Sequence, residues 1–118
     1  YETKDPAELL NQVKIGSATK RWQSAFELSK VLNDPDRVPE DISFKNQMIS
    51  AYQSSINDDP LVRSYLAIAM GVSRDVFYEN ELLKGLEDEN RESRLAAIQS
   101  IGMVGSNKSL SKPIETLF

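Results

Sequence analysis

Residues Asp59–Gly71 read D-P-L-V-R-S-Y-L-A-I-A-M-G, and they describe one short helix from start to stop. Asp59 is an N-cap type whose carboxylate can accept from an orphan N–H of the first turn. Pro60 suits the first helical position, where its missing N–H costs nothing. Val62, Leu66, Ala69 and Met70 follow at helical spacing, and Gly71 is expected to take the left-handed conformation just past the end.

The same pattern recurs on either side. A shift of 31 residues lays Arg63 on Arg94, Met70 on Ile101, Gly71 on Gly102 and Asp59 on Asn90. A shift of 42 in the other direction lays Arg63 on Arg21, Ala67 on Ala25, Met70 on Leu28 and Asp59 on Ser17. A second element repeats between these: Glu8, Leu9, Leu10 and Val13 lie 73 residues before Glu81, Leu82, Leu83 and Leu86, the sum of the two shifts. Periods of this size signify stacked supersecondary units, none of which can bury its apolar face alone.

The stretches Val62–Gly71, Ser93–Gly102 and, more distantly, Lys20–Ser29 resemble HEAT repeats, and more narrowly the short HEAT-like repeats first grouped with phycobilin lyases. The resemblance extends over nearly the whole chain. It implies an all-α fold, a right-handed α-solenoid of antiparallel helix pairs (an alpha-alpha superhelix). It also implies a binding surface rather than a chemistry. The first copy departs most, with Ser29 in place of glycine and Glu27 in place of Ala69.

One domain is expected over residues 1–118: an orphan second helix at 5–16, a first repeat at 17–57 with an inserted loop at 33–39, a second at 58–87 and a third at 88–118. A chain of this length buries roughly two thirds of its unfolded surface, enough for a core without staples. It contains neither cysteine nor histidine. Disulfides, thiolate or imidazole metal sites and a histidine acid or base are thereby excluded. Net charge is -4, from 14 basic and 18 acidic residues, which does not favour phosphate backbones or anionic lipid. No run approaches a membrane span and no signal peptide is present. The first residue is Tyr rather than Met, and the last helix lacks a polar cap. Both features suggest a piece of a longer chain, or an end covered by another copy.

In chain order, Asp5-Pro6 repeats the cap-plus-proline start, and Gly16 closes a helix carrying Leu9, Leu10 and Val13. Ala25, Phe26, Leu28 and Leu32 are the expected buried positions of the next helix, with Trp22 packing beside them or anchoring a partner. Asn33–Pro39 is a proline-broken loop. A helix from about Glu40 to Ile56 offers Ile42, Met48, Ile49, Tyr52 and Ile56 to the core. Another runs from Val76 to Leu86, where Gly85 costs up to about 1 kcal/mol relative to alanine unless a neighbouring helix comes close. Gly102 and Gly105 should end the third arginine-marked helix, and Ser106–Ser109 should turn into a last one holding Ile114 and Leu117.

Arg21, Arg63 and Arg94 are the most regular charged feature, expected to tie to carboxylates or to backbone ends of neighbouring units. Asp59 stands four residues before Arg63, the spacing at which helix side chains meet. The carboxylates from Asp75 to Glu92 read as a solvated acidic edge, without the residue order of a calcium loop. The functional expectation is a non-catalytic scaffold needing no cofactor, whose second helices present Gln53, Glu79, Asn80, Lys84, Glu87, Lys112 and Glu115, together with Trp22, to a protein or peptide. Arg21, Asp59, Arg63, Gly71, Asn90, Arg94 and Gly102 are the structural repeat positions. The alternatives are a structural spacer in a longer or membrane-tethered protein and, with less support from an acidic chain, a HEAT-like nucleic-acid binder.

Overall fold

The computed structural model describes the backbone of residues 5–111 and the side chains of residues 5–105. Among these, every regular element is helical: α1 Pro6–Ile15, α2 Ala18–Val31, α3 Ile42–Ser54, α4 Pro60–Val72, α5 Glu79–Gly85 and α6 Arg91–Ser111. Single 3-10 turns at Pro35–Arg37, Ser55–Asn57 and Val76–Tyr78 join them.

Side-chain caps start most of the helices. Ser17 accepts from Lys20 N, Asp41 from Ser43 N, Asp59 from Leu61 N and Asn90 from Ser93 N, each satisfying an orphan donor of a first turn. Asp5 occupies the same position before α1, but its carboxylate makes no capping bond; only its carbonyl accepts, from Leu9 N at 3.0 Å.

Helix α4 is the centre of the packing, set between α2 on one side and α6 on the other, while α1 packs on α2 and α5 on α6. The core they enclose includes Leu9, Leu10, Leu28, Met48, Leu66, Met70 and Leu82, all 1% exposed or less. Helices α4 and α6 run parallel. Near the start of α4, Arg63 reaches Asp88, just before α6; near its end Gly71 lies against Ser100, well inside α6.

Several sequence expectations change here. Gly71 lies within α4 rather than past its end, and the left-handed residue is Arg74, with φ 58°. What requires glycine at 71 is proximity: a Cβ there would stand 2.6 Å from Ser100 Cβ and 2.7 Å from its Cα. Gly85 has the same explanation, since a Cβ would overlap the Tyr52 hydroxyl and stand 2.8 Å from Ala97 Cβ. Gly102 and Gly105 do not end α6, which continues to Ser111 through the turn expected at Ser106–Ser109. Ile114 and Leu117 lie outside the described residues. Phe26, Ile42 and Ile56, expected inside, are exposed, whereas Phe44, Val31 and Tyr78 are buried. Phe26 instead packs its ring on Tyr65 of α4, centroids 5.2 Å apart, beneath the Lys30 ammonium.

Candidate interaction surface

The three arginines occupy equivalent turns of α2, α4 and α6 but hold different groups. Arg63 is buried. Its Nε and Nη2 donate to the two carboxylate oxygens of Asp88 at 2.7 and 2.9 Å, and Nη1 donates to the carbonyl of Tyr52. The guanidinium carbon also lies 3.9 Å from the centre of the Tyr52 ring. A planar fork on a carboxylate, stacked on an aromatic face, is the geometry that arginine provides and lysine does not. Arg21 forks similarly onto Asp58 and donates from Nε to Val13 O at 2.7 Å, but nearer the surface, with side chains 22% and 34% exposed. The hydrogen bond to Arg21 holds the Asp58 carboxyl below the usual carboxylate range and raises the guanidinium's own pKa. Arg94 donates to the carbonyl oxygens of Asp88 and Glu89 at 2.9 and 3.4 Å.

Asp59 is not the partner of Arg63, despite its helical spacing, because its carboxylate is committed to Leu61 N. The true partners, Asp58 and Asp88, lie 37 and 25 residues after their arginines, each in the linker just before the next helix of the row. An aspartate one or two residues ahead of a cap was the available signal. The expected solvated acidic edge holds for Glu87, Glu89 and Glu92, which are exposed, whereas Asp75, Glu79 and Glu81 are half-buried and Asp88 is buried.

Of the proposed partner-facing residues, Gln53 and Lys84 come together from different helices. Gln53 Nε2 donates to Glu81 Oε2 at 3.1 Å across α3 and α5, and Lys84 Nζ pairs with Glu81 Oε1 at 3.5 Å. Glu81, which the sequence offered as the repeat match of Glu8 and as one of the acidic residues but not as a partner-facing position, is therefore the centre of this group. Asn80 is exposed beside it and Glu79 half-buried. Glu87 belongs elsewhere, to a cleft of about 450 Å³ lined also by Ile56, Arg63, Asp88 and Asn90. Trp22 is separate from both: half-buried on the core, it borders a shallow depression with Leu9, Lys20 and Phe26. Lys112 and Glu115 lie outside the described residues.

The inserted loop forms another depression with the α4–α5 turn, lined by Pro35, Val38, Lys45 and Arg74. Lys45 pins its edge, pairing with Asp75 at 2.7 Å and lying over the Phe77 ring. Comparison with protein-family models, curated proteins and solved structures found no match. Among the described residues, no cluster of acidic side chains could hold a metal ion, and no helix is long and apolar enough to cross a membrane. Two tyrosines are displaced from ordinary titration by burial: the Tyr52 phenol is pushed up to about 12, and that of Tyr78 is also raised.

Proposed function

We propose that the chain is a non-catalytic interaction scaffold, a HEAT-like α-solenoid that offers the face formed by α3 and α5 to a protein or peptide. The observation that carries this reading is the Gln53–Glu81–Lys84 group, a polar row built across two helices and bordered by exposed Asn80. Polar side chains already held by one another keep their donors and acceptors aimed outward, which lowers the ordering cost of binding. The parallel neighbours α2, α4 and α6 form the supporting row behind it, as stacked repeats do.

The test is a crosslinking pull-down from the source cell with the wild-type chain and a Gln53→Arg/Lys84→Glu variant. A control carries Lys30→Glu on the α2 side. Loss of a recovered protein in the first variant, with retention in the control, is the expected outcome. Equal recovery with all three chains would remove the assigned face, and recovery of nothing specific would favour a spacer. A mobility shift with short nucleic acid that weakens steeply with salt would replace the proposal with a nucleic-acid reading.

A further inference from the structure

The cleft of about 450 Å³ beside the Arg63–Asp88 pair lies where three helices end or begin. The 3-10 turn after α3 contributes Ile56, the linker after α5 contributes Glu87 and Glu89, and the first turn of α6 contributes Ser93. Its charged groups are unequally committed. Asp88 gives both oxygens to Arg63, and all three nitrogens of Arg63 are spent on Asp88, the Tyr52 carbonyl and the Ser55 hydroxyl. Arg94 is turned onto the carbonyl oxygens of Asp88 and Glu89. The side chains of Glu87 and Glu89 are exposed and enter no ion pair among the described residues.

Ser93 is the second, independent feature. One residue before its arginine, α4 places Val62 fully in the core, whereas α6 places a hydroxyl there, only 2% exposed. No hydrogen bond to that hydroxyl exists among the described residues. Tyr52 Oη, Ser64 Oγ and Ser100 Oγ also lack partners, but they are sealed inside, while the Ser93 oxygen opens on the cleft. A buried acceptor without a donor is costly, and a donor placed in the cleft removes that cost.

We propose that the cleft receives a basic side chain, lysine or arginine, from a partner peptide. The aliphatic stem lies on Ile56, which is 59% exposed, and the cationic head meets the Ser93 hydroxyl and the carboxylates of Glu87 and Glu89. An anion is disfavoured, because Arg63 has no nitrogen to spare and Asn90 already caps Ser93 N. The positive end of α6 amounts to about half a charge, against two glutamates at the rim. A metal ion is disfavoured as well, since no three acidic side chains among the described residues converge to hold one. The proposal does not rest on the α3–α5 face, because Gln53, Glu81 and Lys84 lie outside the cleft.

Amide NMR of the isotope-labelled chain, titrated with terminally blocked Gly-Lys-Gly and Gly-Arg-Gly, tests this. Saturable shifts centred on residues 56–57 and 87–94 are expected for at least one peptide, with a dissociation constant near about 1 mM. No saturable shift there with either peptide overturns the proposal. A norleucine peptide keeps the stem and loses the charge, so it should bind far more weakly; equal binding would make the cleft an apolar site and overturn the assignment. Stronger binding of Gly-Glu-Gly would reverse its sign and do the same. Glu87→Gln/Glu89→Gln should weaken binding about tenfold, and Ser93→Val, which copies Val62, about fivefold without lowering the thermal midpoint. Unchanged affinity in both variants refutes the assigned groups. Glu8→Gln/Glu40→Gln, away from the cleft, should bind as wild type; an equal loss there would mean attraction to overall charge rather than a site, and refutes it too. Binding that appears only after residues 112–118 are removed would show the chain's own tail in the cleft, and would refute a partner peptide.

Discussion

Replacing Asp88 with alanine should be the most damaging single polar change in the molecule. The carboxylate accepts two charge-assisted hydrogen bonds from Arg63, and both side chains are only 5% exposed. Removing it leaves a guanidinium inside the protein with Nε and Nη2 stripped of their carboxylate, held only through Nη1 by the Tyr52 carbonyl and the Ser55 hydroxyl and against the Tyr52 ring. Breaking one side of a buried pair typically costs about 3–5 kcal/mol, because the remaining charge stays desolvated. Against a total stability of roughly 5–15 kcal/mol for a domain, that is a large share. At about 4 °C per kcal/mol for a chain of this size, the midpoint should fall by about 12–20 °C. Asp58→Ala supplies the internal scale: it breaks the same kind of fork at a partly exposed site and should cost about 1 kcal/mol or less. Thermal and urea unfolding followed by circular dichroism measures both. The reasoning predicts further that Arg63→Met with Asp88→Leu recovers most of the loss, since an apolar pair carries no stranded charge. If Asp88→Ala proved no worse than Asp58→Ala, burial would not be what gives the inner clamp its weight.

Glycines on the same helical row should respond with opposite signs. Gly71→Ala forces a side chain into the backbone of Ser100 and should destabilise by about 1–3 kcal/mol, while Gly102→Ala should stabilise by up to about 1 kcal/mol. Gly85→Ala should destabilise in the wild-type background and less in Tyr52→Phe, which removes the nearer clash, with the Tyr52 hydroxyl, and leaves that with Ala97 Cβ; a double-mutant cycle in urea reads the coupling. Asp58 has a folded pKa below its unfolded value, so its contribution is present above the ordinary carboxylate range and disappears as pH falls through the folded value; wild type and Asp58→Asn should differ at neutral pH and converge in acid. Tyr52 acts at the other end: with its phenol raised from 10.0 to about 12, the folded state keeps a proton that the unfolded chain loses, so stability should fall as pH rises between those values, and less so in Tyr52→Phe.

The sequence made local features readable and left contacts across the fold hidden. Helix α4 could be drawn from Asp59 and Pro60 because a cap and an N-terminal proline act within one turn. The same local reading failed for Gly71, since a glycine after an apolar run looks alike whether it bends the backbone or admits another helix; only Ser100, distant in sequence, distinguishes the two. The arginines stood out by their recurrence, but spacing pointed Arg63 to the nearby Asp59, while the carboxylate it holds arrives 25 residues later. Periodicity over-assigned the interior for a related reason. Ile42 opens α3 and Ile56 lies in the 3-10 turn just after it, where the chain turns away before the apolar stripe can be covered. In the candidate surface, Gln53 and Lys84 followed from helix position, but Glu81, which joins them, could not be chosen among so many acidic neighbours without knowing which one faced α3.

The inner clamp also sets an order of events for a chain made from its N-terminus. When synthesis has reached Gly85, every residue of α4 exists, yet the countercharge for Arg63 does not. Until residue 88 emerges, settling α4 onto α3 would seal a cation with no countercharge against the Tyr52 ring. The nascent chain should therefore hold its first helices loosely and consolidate them together as α6 begins to appear, and fragments ending between Tyr78 and Glu87 should be far less stable than their apolar content suggests.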